Sequence, residues 1–421
     1  MTGSEPPDAP GGLRSRSRAA LATGPTLAAF RVPGYPALWL AGSAGAFGIA
    51  VGIVAIGWLA LEVSDSALAV GATFAARFIP SLVLGIPAGG LVDRFDRRST
   101  LVVVYLLGVV PMAIAALLAA NGQLGLVALL GLSLVLGLFD TIRGTASLSY
   151  AFDLAGRDGS TNAIALGNLG AFLMGFVGSI SSGIAIERYG AASAFLLAAV
   201  MSTLAGAILA LAGRRARRER DASSPPTSLR RSMTLIARNR LVALIALVVI
   251  VGEIFGFSSL TVFPTFARDV LHSDATGLGA LAAARSVGAI AGMLLLARAG
   301  LRGRGGRLLL SAAFGLGSGL VAFALSSSFA LSLALLVAVG AFAAALDTLG
   351  QSLIQRSVED DERGSAMGVW YFAIGFGPLG HLGLGAAAVA LGAPVALAIS
   401  GSLLALTAAG LSGVRALRRL A

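Results

Sequence analysis

Twelve apolar stretches, each long enough to cross a bilayer as a helix, constrain this chain more than any other feature. They fall at 37–61, 67–91, 100–120, 124–150, 162–186, 191–213, 240–266, 276–298, 308–326, 329–355, 364–390 and 393–413. A helix rises about 1.5 Å per residue, so about 20 apolar residues span a hydrocarbon layer of about 30 Å. Composition agrees. Hydrophobic residues make up 57% of the 421 and charged residues only 12%, with a mean hydropathy of +0.88, whereas soluble domains carry about 25% charge. The expectation is an all-α integral membrane protein with twelve transmembrane helices.

The one long interruption, 214–239, reads "RRARRERDASSPPTSLRRSMTLIARN" and has linker composition. It divides the chain into an N-terminal six-helix bundle over 31–213 and a C-terminal six-helix bundle over 240–414. Residues 1–30, rich in Pro, Gly and Ser and without an apolar run of signal-peptide length, read as a disordered cytoplasmic tail, and 415–421 as a short basic cytoplasmic tail. Arginine placement sets the orientation. Twenty-six arginines lie in the tails, the linker and the loops of one side, two (Arg188 and Arg268) on the other, and three (Arg77, Arg143, Arg285) inside spans. The positive-inside rule then places both termini in the cytoplasm of a multi-pass protein of the cell's inner (plasma) membrane. The net charge of +11 is therefore topological, and nucleic acid is not expected as a partner.

Cysteine is absent and all 31 basic residues are Arg, for which genomic base composition is the plain explanation. Disulfides, thiolate metal sites, a phosphate-loop lysine and Schiff-base chemistry are thereby excluded. The chain has no Gly-rich phosphate loop, no HExxH and no GxSxG elbow, and its two His, His272 and His381, lie in different helical regions. No catalytic residue, metal or cofactor is expected, and the chain does not read as an enzyme.

An internal repeat relates the two bundles. "FAARFIP" around Arg77 matches "LAAARSVG" around Arg285 at an offset of 208, and "LFDTI" around Asp140 matches "ALDTL" around Asp347 at 207. These residues also belong to the short set of ionisable groups inside spans: Arg77, Asp140, Arg143, Glu253, Arg285, Asp347 and His381. At bilayer depth such a group costs several kcal/mol unless it is paired or faces water, so each is a candidate for coupling or substrate binding. The third, sixth, ninth and twelfth spans contain none. Asp140 and Arg143, three apart, share a helix face, and Arg77 is placed to share Asp140. Such a set either locks the N-terminal bundle or switches partners with protonation or substrate. Asp347 and Arg285 stand in the same relation. Glu253, in "VVIVGEIFGFSS", has no local partner. A carboxyl group taken into apolar surroundings without a cation favours its neutral form, which suits a proton carrier. The alternatives are a cationic-substrate site, a tolerated protonated Glu or an interhelix hydrogen bond. Gly175, Gly178 and Gly183 in the fifth span, and Gly377, Pro378 and Gly380 in the eleventh, mark either tight packing or a surface along which the halves rock.

The cluster "GGLVDRFDRRST" follows the second span. Its Gly89, Asp93, Arg94, Arg97 and Arg98 match the loop signature of the major facilitator superfamily, with Asp96 where a second Gly is usual. Over roughly 31–415 the chain resembles that superfamily, and the "DRFDRR" form resembles the enterobactin-exporter and macrolide-efflux-like branch. The exporters' fifth-span signature is reduced to "GSISSG", with Ser179 and Ser182 in place of Pro and Gly. The resemblance implies two pseudo-symmetric six-helix bundles. Spans 1, 4, 7 and 10 would line a central cavity, flanked by 2, 5, 8 and 11, with 3, 6, 9 and 12 outermost. It further implies a secondary active transporter working by rocker-switch alternating access as a monomer. The expected activity is proton-coupled export (antiport) of an amphipathic small molecule, drug or siderophore, with the substrate, protons and the lipid bilayer as partners. A symporter importing a small metabolite is the alternative, and a non-transporting sensor or assembly partner on the same fold is the second. Asp93 would latch the second span against the start of the eleventh.

Overall fold

The computed structural model describes residues 25–92, 94–212, 229–299, 304–359 and 362–418. Every regular element among the described residues is helical. Twelve helices are long and apolar enough to span a membrane. In chain order they are α1 Tyr35–Ser64, α2 Ala67–Val92, α3 Arg97–Ala120, α4 Leu126–Gly156, α5 Gly159–Tyr189 and α6 Ala191–Leu211. The second half continues with α7 Arg240–Val270, α8 Ala275–Ala299, α9 Gly305–Ala324, α10 Phe329–Arg356, α11 Gly364–Leu391 and α12 Ala393–Leu411. Twelve crossings put the described residues before α1 and after α12 on one side of the membrane, here termed the terminal face. Within the stretch read as linker, Leu229–Arg238 forms a further, short helix.

Local chemistry fixes the ends of these helices. Asp96 caps α3, its carboxylate accepting from the Ser99 backbone N–H at 2.8 Å. Asn239 caps α7 by accepting from the backbone of Leu241 and Val242 at 3.0 and 3.2 Å. Each cap satisfies donors that the first turn leaves without a partner. The chain reverses between α4 and α5 at Gly156, whose φ of 67° lies in the left-handed region where a side chain would be strained.

In the N-terminal half α1 packs on α5 and α6, α2 on α4, and α3 on α6; in the C-terminal half α8 packs on α10, and α9 on α10 and α12. The halves meet along α2 with α11 and α5 with α8. The outermost helices carry exposed apolar rows. Val103, Leu106, Val110, Ile114 and Leu117 recur at helical spacing on α3, and Val395, Ile399, Leu403 and Leu406 on α12. In water such rows would be a liability; in a bilayer they are the lipid contact.

Two of the long helices are broken. In α7 regular α-helix ends at Phe255 and continues as 3₁₀ over Phe257–Val262 and as a π turn over Phe266–Val270. In α11, Arg363–Ile374 gives way to Gly377–Leu391, with Pro378 in the first turn of the second segment. Pro starts a helix readily because its missing N–H is not needed there.

Candidate functional site

A cavity of about 550 Å³ lies between the halves, within the size range that holds a small molecule. Its wall runs from mid-membrane residues such as Ile53, Arg285 and Asp347 to Tyr35, Ala151 and Ala163, which stand near the terminal-face ends of α1, α4 and α5. At the opposite face the halves are packed shut. A Cβ on Gly183 of α5 would lie 2.5 Å from the Ala275 carbonyl of α8, and one on Gly71 of α2 would overlap the His381 carbonyl of α11. Glycine alone permits these backbone approaches. The His381 ring stacks on Phe74 and Phe78 of α2 at centroid distances of 5.4 and 5.3 Å, and its Nδ1 is 2.8 Å from Thr261 Oγ1. This histidine is therefore a buried wedge between the halves. Also at this face, Arg268 at the end of α7 donates to Asp65, just past α1, at 2.6 Å.

An exposed ion pair contributes about 0.5–1 kcal/mol, enough to move a two-state population about two- to fivefold. Asp65→Asn is accordingly expected to leave the melting temperature within about 2 °C of the parent. The same change should raise labelling of an introduced Ile53→Cys from the opposite face about two- to fivefold. The native chain has no cysteine to confuse the reading.

The charged residues fall into two sets. In the N-terminal half Arg77 donates through both Nε and Nη2 to Asp140 Oδ2, at 3.1 and 2.7 Å, and Arg143 reaches Asp140 Oδ1 at 3.5 Å. Two guanidinium groups thus share one carboxylate. Arg143 is on the cavity wall; Arg77 and Asp140 lie behind it, together with Tyr105 of α3. The expected Arg77–Asp140 and Asp140–Arg143 contacts are both present.

The C-terminal set differs from its repeat. Arg285 makes no ion pair within 4.0 Å among the described residues, and the expected Arg285–Asp347 pair is not formed. The cause is helix register. A Cβ on Gly137 of α4 would overlap the carbonyl of Arg77, and one on Gly340 of α10 would overlap the carbonyl of Arg285. These glycines mark where each aspartate helix meets its arginine helix. Asp140 follows its glycine by three residues, and Asp347 follows its own by seven. Four extra residues displace the carboxylate about 6 Å along the axis, out of reach. Arg285 instead lies over the Phe257 ring, 5.9 Å from its centroid, and both Arg285 and Asp347 face the cavity.

Glu253 is 7% exposed and lies off the cavity wall. It stands two residues before α7 loses regular helix, and its Oε2 is 3.7 Å from where a Cβ on Gly377 would sit. Gly377 opens the second segment of α11, so the carboxyl group occupies the crossing of the two broken helices. The other packing residues separate by role. Gly178 approaches the Phe47 backbone of α1, Gly380 approaches Ile254, and Gly175 lies against Ser286 of α8 at the cavity edge. Ser182 donates to the Val51 carbonyl at 2.9 Å, so the serine that replaces the signature residue ties α5 to α1.

Of the cluster after α2, Gly89 lies in the last turn of that helix, and Asp93 lies outside the described residues. Arg94 is exposed. Arg97 donates to the Ser149 carbonyl at 3.1 Å and pairs with Asp153, both on α4. Arg98 donates to the carbonyls of Leu209 and Ala210 at 2.8 Å each, where the end of α6 leaves acceptors free. These arginines hold the N-terminal half together at its terminal face. Sequence reasoning did not single out the uncharged polar wall residues Asn168 and Gln351. The available signal was a polar side chain recurring inside cavity-side spans.

Two six-helix halves around a solute-sized cavity, shut at one face, define a membrane transporter of the major facilitator type. The chain belongs to the family described as transmembrane secretion effector, which it matches over residues 24–419. Among solved structures it is similar to a bacterial homologue of the human lysosomal transporter Spinster in its inward-facing, occupied conformation. That likeness has 15% identity and a TM-score of 0.70, covering 92% of this chain and 96% of that one. It is also similar to the nucleoside transporter NupG, at 14% identity and TM-score 0.69, covering 91% and 100%. A third likeness is to an auto-inhibited POT family peptide transporter, at 13% and 0.68, covering 90% and 96%. These likenesses concern the fold. Compared with curated proteins, the chain matches none.

Proposed function

We propose that the protein is a proton-coupled exporter of amphipathic small molecules, working by alternating access in the plasma membrane with its terminal face in the cytoplasm. The observation that carries this reading is the cavity. It reaches toward the arginine-rich face, is sealed at the other, and places Arg143, Arg285 and Asp347 on an otherwise mostly apolar wall. A cavity presented to the cytoplasm and closed outward is the state in which an exporter loads and an importer releases. The family's description as a secretion effector and the "DRFDRR" likeness to the enterobactin-exporter and macrolide-efflux-like branch support the direction. Glu253 is the proposed proton carrier, since it is buried at the junction of two broken helices. Broken helices are where transporters of several folds place their coupling sites. Asp93 is the proposed terminal-face latch between the halves.

Everted membrane vesicles test the reading. With a panel of fluorescent amphiphiles, the protein is expected to drive accumulation of at least one compound when the lumen is acidified. That accumulation should collapse on adding a protonophore. Accumulation only in right-side-out vesicles would instead make the protein an importer, and no flux in either orientation would leave it without a transport role.

A further inference from the structure

We propose that the cavity selects organic anions: molecules with an apolar body and one carboxylate or similar acidic group, the acidic group docking on Arg285. This rests on the transport reading only in taking the cavity as the substrate site. Three observations carry it. Arg285 faces the cavity without an ion pair, and its Nε is buried with no protein hydrogen-bond partner among the described residues. A guanidinium left in that condition gains most from a ligand that brings both negative charge and acceptor oxygens. The second observation is the charge surplus opposite. Arg77 and Arg143 share the single carboxylate of Asp140, and Arg143 is the member that reaches the wall. The wall therefore carries two cations, one from each half, against the one carboxylate of Asp347. Third, Trp370 Nε1 and Ser147 Oγ, on the same wall, are also buried donors without a protein partner among the described residues. Leu38, Ile49, Ile53, Leu148, Phe172 and Leu260 supply the apolar remainder.

Two of the three tryptophans, Trp39 and Trp370, line the cavity, so quenching of their fluorescence in the purified full chain reports occupancy. The probes are 2-naphthoate, 2-naphthamide and 2-naphthylmethylammonium, which share one apolar body. The naphthoate is expected to bind about tenfold tighter than the amide, and the ammonium weakest. Arg285→Gln should remove the preference for naphthoate over amide, and Arg285→Lys should retain most of it. Equal binding of amide and naphthoate, or tighter binding of the ammonium, by the parent protein would overturn the assignment whatever the variants do. So would a preference that survives in a folded Arg285→Gln protein. The transport reading is scored separately by vesicle flux. Naphthoate bound without flux keeps the anion site and removes transport, whereas an ammonium compound bound and accumulated does the reverse.

Discussion

Replacing Asp140 by Asn is expected to lower the stability of the protein by about 3 kcal/mol, because it strands two guanidinium groups at once. Arg77 is only 8% exposed, and its contacts to Asp140 are the closest of the intramembrane charges. Arg143 depends on the same carboxylate at 3.5 Å. Asparagine offers one acceptor oxygen and no charge, so at most one arginine keeps a hydrogen bond and neither keeps its ion pair. Thermal unfolding in detergent should show a midpoint several degrees lower. Adding Arg77→Gln should restore part of the loss, since one stranded cation is removed and Arg143 remains. A double-mutant cycle with no coupling between positions 77 and 140 would mean the pair is incidental to the fold. Preserved stability with lost transport would make the network a switching element instead of a lock.

The fate of the two charged sets shows what a sequence of this kind reveals. The spans are legible because hydropathy over about 20 residues is a strong, local signal. The N-terminal contacts are legible because a three-residue spacing fixes Asp140 and Arg143 on one face. The C-terminal pair is misread because an offset of 207 or 208 records descent and not register. Register between α8 and α10 is set by where a glycine admits a backbone, and Gly340 admits Arg285 one turn away from the position that the repeat implies. The break in α7 is hidden for a related reason, since "FGFSSLTVFPTF" is as apolar as a regular helix and Gly256 and Pro264 alone hint at it. The Arg268–Asp65 contact joins residues 203 apart, and no local pattern predicts it. Asp96 is the converse case. An acidic residue three before Ser99 at the start of an apolar run is a readable helix cap, and the pull of a known loop signature obscured it.

Glu253→Gln is expected to abolish transport driven by a proton gradient while leaving exchange of substrate for substrate intact. Glutamine matches protonated glutamate in shape, and it keeps one donor and one acceptor but cannot release a proton. Packing at the crossing of α7 and α11, where Gly377 lies against the Glu253 carboxyl group, is thereby preserved, so a loss of function cannot be charged to misfolding. Gradient-driven accumulation should fall at least about tenfold, which corresponds to about 1.4 kcal/mol of lost coupling. Counterflow across vesicles preloaded with substrate should proceed at a rate within about twofold of the parent and should lose its dependence on pH. Asp347→Asn makes the contrast. That residue faces the cavity without an ion-pair partner among the described residues, so its replacement should change substrate affinity before it changes coupling. If Glu253→Gln transports against its gradient with the parent's pH dependence, while Asp347→Asn does not, the proton travels through Asp347 and the junction of the broken helices serves only to bend the C-terminal half.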